Sequence, residues 1–169
     1  ARVSLSRLRD SRVQRGYALR RVRPRADRAQ ARLHPLIHPE GIDVRLSEDR
    51  IDAIVSSPAV RAYTTAVTVA EELGFSESDI LQIRSLYLPS VENILAVVNT
   101  LNEEWDSVML FGHNPGFTEA VGYFSGQHLD NLPTAGVAKI EFPFDSWKLV
   151  SRGTGTLVSI NAPKTDVTD

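Results

Sequence analysis

Val-Met-Leu-Phe-Gly-His-Asn-Pro-Gly, at residues 108–116, is the stretch of sequence that decides the fold. Its first four residues form a short apolar run of the kind that makes a buried strand. Asn114 and Pro115 then favour the start of a helix, which we predict to continue to about residue 125. An apolar strand that ends in a polar turn and leads directly into a helix is typical of α/β domains.

The same order of elements occurs earlier in the chain. Residues 51–55, Ile-Asp-Ala-Ile-Val, predict a strand, and a Ser-Ser-Pro turn follows it. Residues 59–73 then predict a helix, with Ser57 as a candidate N-cap and Pro58 suited to the first helical position. Two strand–turn–helix units of this kind indicate one repeated architecture rather than an isolated motif.

The remaining predicted elements continue this alternation. Residues 80–83, 137–142 and 156–160 predict strands, and residues 90–105 predict a helix whose apolar side chains share one face. We therefore predict a three-layer α/β/α domain with a largely parallel central sheet. Ligands bind such sheets outside the carboxyl ends of the strands, which is where both polar turns lie. Three acidic residues near the end of the helix at 90–105 are interpreted as a solvated surface: Glu103, Glu104 and Asp106.

Arg61 is the first candidate functional residue, because it lies in the first turn of the helix predicted at 59–73. A guanidinium presents a planar fork of donors that matches phosphate oxygens, and it keeps its charge at neutral pH. Beside the N–H groups of a helix N-terminus it would complete an anion site. An arbitrary helix arginine is more often a solvated surface residue. The context Ser-Ser-Pro-Ala-Val-Arg-Ala, directly after a strand, favours the anion site here.

His113 is the second candidate, because it lies between the apolar run at 108–111 and Asn-Pro-Gly. A lone histidine is more often a core or surface residue than a functional one. Here the strand end and the start of a helix place the ring at the mouth of the predicted sheet. Gly112 would let the backbone approach a ligand closely.

These two segments resemble two of the three signature segments of the histidine phosphatase superfamily, and they are closest to its SixA-type phosphohistidine phosphatases. The resemblance covers residues 42–164 and implies a phosphoglycerate-mutase-like fold. It implies that Arg61, in a segment similar to Ser-Pro-x-x-Arg-Ala-x-x-Thr-Ala, binds the phosphoryl group, and that His113 stabilises its charge. Residues 131–137 are similar to the Leu-Pro-Thr-x-Gly entry to a strand in the SixA branch, where Thr134 could line the pocket.

The function that the resemblance implies is hydrolysis of phosphohistidine in a protein substrate, without a metal ion or other cofactor, by a monomeric bacterial protein of the cytoplasm. An active-site histidine first takes the phosphoryl group, and water then removes it. That nucleophile belongs to the third signature, an Arg-His-Gly or Arg-His-Ala at the end of the first strand. No Arg-His pair occurs in this sequence, so neither the nucleophile nor the general acid is assigned. We expect hydrolysis to be impaired in this chain, and a phosphoryl-binding protein without turnover is the alternative.

The first 41 residues differ sharply from the rest of the chain. Residues 1–33 contain eleven arginines and two aspartates, a net charge of +9, so the other residues carry −11 to give the overall −2. Residues 1–40 contain no apolar strand comparable with the family's first strand.

Three interpretations of this segment are open, and the first is a reading-frame shift in the gene. The codons possible for residues 22–29, when read one base later, permit Phe-Asp-Arg-Gly-Leu-Thr-Glu-Arg. That sequence is similar to the stretch that follows the nucleophile in SixA-type proteins. The second is a basic, disordered arm that binds nucleic acid or another acidic partner, and the third is an organelle transit peptide.

Composition limits the other function classes. The 169 residues, 42% of them hydrophobic, suit one globular domain, and no cysteine is present to form a disulfide or a thiolate site. No apolar run approaches the roughly 20 residues that span a bilayer, so we expect a soluble protein without a membrane partner and with a loose tail at 165–169. His34 and His38 have a spacing that could hold a metal ion on a helix, but Pro35 and Pro39 argue against a regular helix there.

Overall fold

The computed structural model describes residues 15–21 and 50–162 of the chain. The strands in these ranges are β1 (Arg15–Arg21), β2 (Ala53–Ser56), β3 (Ile80–Gln82), β4 (Ser107–Gly112), β5 (Val137–Phe142) and β6 (Thr156–Asn161). The helices are α1 (Val60–Glu72), α2 (Val91–Asn99) and α3 (Gly116–Ser125), with short 3-10 turns at Glu77–Asp79, Arg84–Leu86 and Trp147–Leu149. Among the helices in these ranges the longest has 13 residues, and none is long and apolar enough to cross a membrane.

The six strands form one sheet in the order β3-β2-β4-β1-β5-β6. Three of the five strand pairs are parallel, namely β2 with β3, β2 with β4, and β1 with β5. The pairs β1 with β4 and β5 with β6 are antiparallel. The prediction of a largely parallel central sheet is confirmed, with two antiparallel pairs at its centre and edge.

Helices cover both faces of this sheet. Successive residues of a strand point to opposite faces, and in β4 Val108 and Leu110 belong to the apolar cluster that contains residues of α2 and α3. Met109 and Phe111 belong to a second cluster with Ala66 of α1. The three layers of the predicted α/β/α architecture, a phosphoglycerate-mutase-like fold, are therefore present.

The strand β1 corrects one expectation from the sequence. It lies between β4 and β5 near the middle of the sheet, and its Ala18 and Leu19 are buried. The expectation that residues 1–40 contain no central strand is therefore wrong. Tyr-Ala-Leu at 17–19 is a continuous apolar run, as a strand buried on both faces requires, and the arginines on either side of it concealed the signal.

The direction of β1 determines which edge of the sheet its ends reach. Arg15 pairs with Gly112 and Arg20 pairs with Ser107, so β1 begins where β4 ends. The carboxyl end of β1 therefore lies at the edge opposite to the end of β4. Residues 1–14 and 22–49 lie outside the described residues, as do His34 and His38, so the frame-shift, basic-arm and transit-peptide interpretations stay predictions. The predicted boundaries at 41/42 and 164/165 stay predictions as well.

The segment after α2 corrects a second expectation. The helix predicted at 90–105 ends at Asn99, and Glu103 is half-buried rather than solvated. Its carboxylate accepts hydrogen bonds from the Ser146 hydroxyl at 2.9 Å and from the Trp147 backbone N–H at 3.3 Å. The indole N–H of Trp147, which is fully buried, donates to the carbonyl of Trp105 at 2.9 Å. The residues after Asn99 leave the helix because they bind Trp147 in the core. This is a tertiary contact, and the periodicity of apolar residues along a helix does not report it.

Candidate functional site

The candidate site is built at the carboxyl ends of β2 and β4. These strands are adjacent and parallel, with Ser56 paired to Phe111, so the residues that follow them meet at one edge of the sheet. The backbone N–H of Ser57 donates to the Phe111 carbonyl at 2.9 Å, which extends the pairing by one residue. This register brings Ser57 beside His113.

A hydrogen bond joins the Ser57 hydroxyl to His113. The Ser57 Oγ and the His113 Nε2 are 3.0 Å apart, and both side chains are buried. The same hydroxyl oxygen accepts a hydrogen bond from the Ala59 N–H at 3.2 Å. The N-cap of α1 is Ala59, so the prediction that Ser57 is the N-cap is wrong. The serine instead connects the start of α1 to the imidazole.

Arg61 lies at the N-terminus of α1, where it was expected. It is the second residue of the helix, and its side chain is exposed at the mouth of the site. Its positive charge is close enough to affect the titration of His113. The structure therefore brings together the two candidate residues, Arg61 and His113, and adds Ser57, which is hydrogen-bonded to His113.

The surroundings of His113 favour the neutral imidazole. Burial lowers the pKa of His113 below its usual value, and the positive charge of Arg61 lowers it further. Both causes act against the charged form of the ring. A neutral imidazole can either accept a hydrogen bond from the Ser57 hydroxyl or donate one to it, depending on the tautomer.

This pKa shift predicts the pH dependence of stability. The unfolded chain binds a proton at His113 near the ordinary histidine pKa, whereas the folded chain does so only at lower pH. Between these values the unfolded state binds more protons, so the free energy of unfolding falls as the pH falls. We expect that wild type loses more stability than His113→Gln between pH 7 and pH 5. Urea unfolding at several pH values measures this, and parallel curves for the two chains would contradict the shift.

The loop that carries His113 is held by the segment that precedes β5. The Asn114 side-chain amide donates to Asn131 Oδ1 at 2.8 Å and to the Leu132 carbonyl at 3.3 Å. In return, the Leu132 N–H donates to the Thr118 hydroxyl at 2.9 Å. The segment at 131–137 therefore supports the site through Asn131 and Leu132, whereas Thr134 is exposed.

Two glycines in this loop are required by packing. A Cβ on Gly112 would overlap the ring of Phe117, which is fully buried, so the space there belongs to the core. The expectation that Gly112 allows close approach of a ligand is therefore wrong. A Cβ on Gly116 would overlap the backbone carbonyl oxygen of Pro89. This contact fixes the start of α3 against the segment that follows β3.

Two residues of the site were missed from the sequence. Ser57 was considered only as a helix cap, although its place directly after a strand that ends at the same edge as His113 was a usable signal. Tyr87 lies with its ring edge-on to the His113 imidazole, at a centroid distance of 5.7 Å and an interplanar angle of 82°. It follows the short edge strand β3, and no sequence pattern marked it.

The residues of the site suit an anion rather than a cation. They combine a guanidinium, the N-terminal N–H groups of α1 and an imidazole. Within residues 15–21 and 50–162, no group of three His, Cys, Asp or Glu side chains could hold a metal ion. The site can therefore bind a group with several oxygen acceptors and a negative charge.

Comparisons with known proteins support this fold. No family model and no curated protein matches the sequence. Among solved structures, the chain is similar to a protein assigned as phosphohistidine phosphatase SixA from Nakamurella multipartitia, with a TM-score of 0.60, 16% identity, and coverage of 89% of this chain and 97% of that one. It is also similar to a protein assigned as SixA from Agrobacterium tumefaciens, with a TM-score of 0.55, 20% identity, and coverage of 88% and 98%. The chain therefore shares the fold of these two proteins over nearly their whole length.

Proposed function

We propose that this chain is a phosphohistidine phosphatase by descent, that its site binds the phosphoryl group of a phosphorylated protein, and that its hydrolytic step is impaired. One observation carries the proposal. The exposed Arg61 at the N-terminus of α1 and the buried pair of Ser57 and His113 lie together at the ends of two adjacent parallel strands. The likeness of the fold to proteins assigned as phosphohistidine phosphatases supports the same substrate class.

Each group suits a different part of a phosphoryl ligand. The guanidinium of Arg61 can donate two parallel hydrogen bonds to phosphoryl oxygens, and the helix N–H groups add favourable dipoles. His113 lies deeper, and its ring can donate a hydrogen bond from one nitrogen when neutral and from both when protonated. A bound phosphate opposes the charge of Arg61, so phosphate binding is expected to raise the pKa of His113.

The hydrolysis of phosphohistidine requires a nucleophile in addition to these groups. In the first step a nitrogen of an enzyme histidine forms a bond to phosphorus, while the bond from phosphorus to the substrate imidazole breaks and that imidazole takes a proton. In the second step water attacks phosphorus, inorganic phosphate leaves and the enzyme histidine is restored. The family resemblance puts that histidine after the first strand, but here β1 is followed by Val22 and its carboxyl end lies at the edge away from His113.

The direction of β1 favours a second candidate function. Within residues 15–21 and 50–162, no strand other than β4 brings a histidine to this edge, and a site that keeps Arg61, Ser57 and His113 alone can recognise a phosphoryl group without transferring it. Loss of a covalent catalytic group typically lowers turnover by orders of magnitude and leaves only the weak effect of the remaining site. A phosphoryl-binding protein without turnover is therefore the alternative to an impaired phosphatase.

We expect Arg61→Ala to weaken the binding of inorganic phosphate by roughly 10- to 100-fold, because it removes charge-assisted hydrogen bonds. Arg61→Lys keeps the charge but loses the planar fork of donors, so its affinity for phosphate should lie between those of wild type and Arg61→Ala. Isothermal titration calorimetry at low ionic strength measures these affinities. Arg50→Ala is the matched control, because Arg50 is an exposed arginine that precedes β2 at the other edge of the sheet. Equal affinities for Arg61→Ala and wild type would contradict the proposed site.

Phosphate release from a phosphohistidine peptide separates the two candidate functions. Slow release that disappears in His113→Ala supports an impaired phosphatase, and binding without release supports the phosphoryl-binding protein. Release at an ordinary enzymatic rate, about 1 per second or faster, would show that another residue supplies the nucleophile. That result would contradict the proposed impairment.

A further inference from the structure

The site has an apolar rim on the side of β3. Among the described residues, six large hydrophobic side chains are exposed, and three of them follow the carboxyl ends of β2 and β3. Val60 is 79% exposed and precedes Arg61, while Tyr87 and Leu88 are 56% and 65% exposed and follow the 3-10 turn after β3. Because β2, β3 and β4 are parallel neighbours, these side chains lie at the same edge of the sheet as His113.

Two contacts hold this rim in place relative to His113. The ring of Tyr87 lies edge-on to the imidazole at 5.7 Å. Pro89, two residues later, is buried, and its carbonyl packs so closely on Gly116 that no Cβ would fit. Tyr87 and Leu88 are thus fixed at one end by the imidazole and at the other by the start of α3.

The backbone at Leu88 is strained. Its φ angle is +45°, in the left-handed region that costs a residue with a Cβ about 1 kcal/mol or more. This strained backbone presents an exposed leucine next to the anion site. Such strain is typical of positions that contact a ligand.

We propose that Tyr87, together with Leu88, determines specificity for the protein segment that carries the phosphoryl group. The two side chains pack against an apolar side chain next to the phosphorylated residue. The proposal rests on the proposed function, because the phosphoryl site fixes where that segment must lie. A small phosphorylated metabolite is mostly polar and would leave this rim exposed to water, whereas a peptide would cover it. The aromatic ring offers a large apolar surface at a low cost in conformational entropy.

Two probes with the same anionic group test the proposal. The first is inorganic phosphate, and the second is a peptide that carries a stable phosphoryl-triazole analogue of phosphohistidine followed by a leucine. We expect Tyr87→Ala to weaken binding of the peptide about fivefold more than it weakens binding of phosphate. Tyr87→Phe keeps the ring and should bind the peptide more tightly than Tyr87→Ala. Leu149→Ala is the control, because Leu149 is 58% exposed and follows β5, which ends at the opposite edge.

The outcomes distinguish this inference from the function on which it rests. If wild type binds both probes and Tyr87→Ala weakens both by the same factor, Tyr87 only orients His113 and the proposed specificity role is wrong. If Tyr87→Ala changes neither affinity, the rim does not contact the peptide and the inference is wrong as well. If wild type binds neither probe, the proposed phosphoryl site itself fails, and this inference fails with it.

Discussion

Replacement of Leu19 by aspartate is expected to leave the chain largely unfolded under native conditions. Leu19 is fully buried at the centre of the sheet and belongs to the larger apolar cluster. Truncation of a buried leucine alone costs about 2–5 kcal/mol, and an unpaired buried carboxylate adds several more. A domain of this size has a total stability of about 5–15 kcal/mol, so the sum removes most or all of it. Circular dichroism and urea unfolding measure the result.

Leu149→Asp is the matched control for this experiment, because Leu149 is exposed and the same change there should cost little. The comparison also tests the interpretation of the N-terminal segment. If Leu19→Asp unfolds at the same urea concentration as wild type, β1 is not part of the sheet. Residues 15–21 would then carry no structural role, as a disordered arm predicts.

Replacement of Gly116 by alanine is expected to disturb both stability and binding. The new Cβ would overlap the carbonyl oxygen of Pro89, and a backbone atom cannot rotate away as a flexible side chain can. Overpacking in such a place costs about 1–3 kcal/mol or more, and the start of α3 or the segment at 87–90 must shift to relieve it. We expect a free energy of unfolding lower by about 3 kcal/mol and weaker phosphate binding, because His113 moves with this loop.

Gly122→Ala in the same helix is the control for Gly116→Ala. A Cβ there would lie 3.0 Å from the Gln127 carbonyl oxygen, a milder contact, and alanine is favoured over glycine inside a helix by about 1 kcal/mol. Its effect on stability should be clearly smaller, and its phosphate affinity should equal that of wild type. Equal stability losses in the two variants would show that the contact between Gly116 and Pro89 is not tight.

Much of the fold follows from local sequence patterns. The strand β5 has the predicted bounds, and α1, α3 and β4 agree with prediction to within about two residues, because apolar periods and turn residues report local structure directly. The early end of α2 was not predictable in this way. It depends on the contact of Glu103 with Ser146 and Trp147, which are more than forty positions away.

The central strand β1 was missed for a different reason. A short apolar run between arginines has weak local signal, and its place in the sheet depends on pairing with β4 and β5. The residues of the site were likewise predictable only in part. Arg61 and His113 were predicted because each follows a strand end in its own segment. The hydrogen bond of Ser57 and the ring contact of Tyr87 with His113 depend on the parallel register of β2, β3 and β4, which no single segment reports.

The most direct test of the phosphoryl-binding site is an NMR titration of the wild-type imidazole resonances with inorganic phosphate. His113→Gln assigns the resonance of His113, and the other three histidines serve as internal references. We predict that phosphate shifts the His113 resonance and raises its pKa, and that the other histidines respond weakly. An unchanged His113 resonance and an unchanged pKa at saturating phosphate would contradict the site.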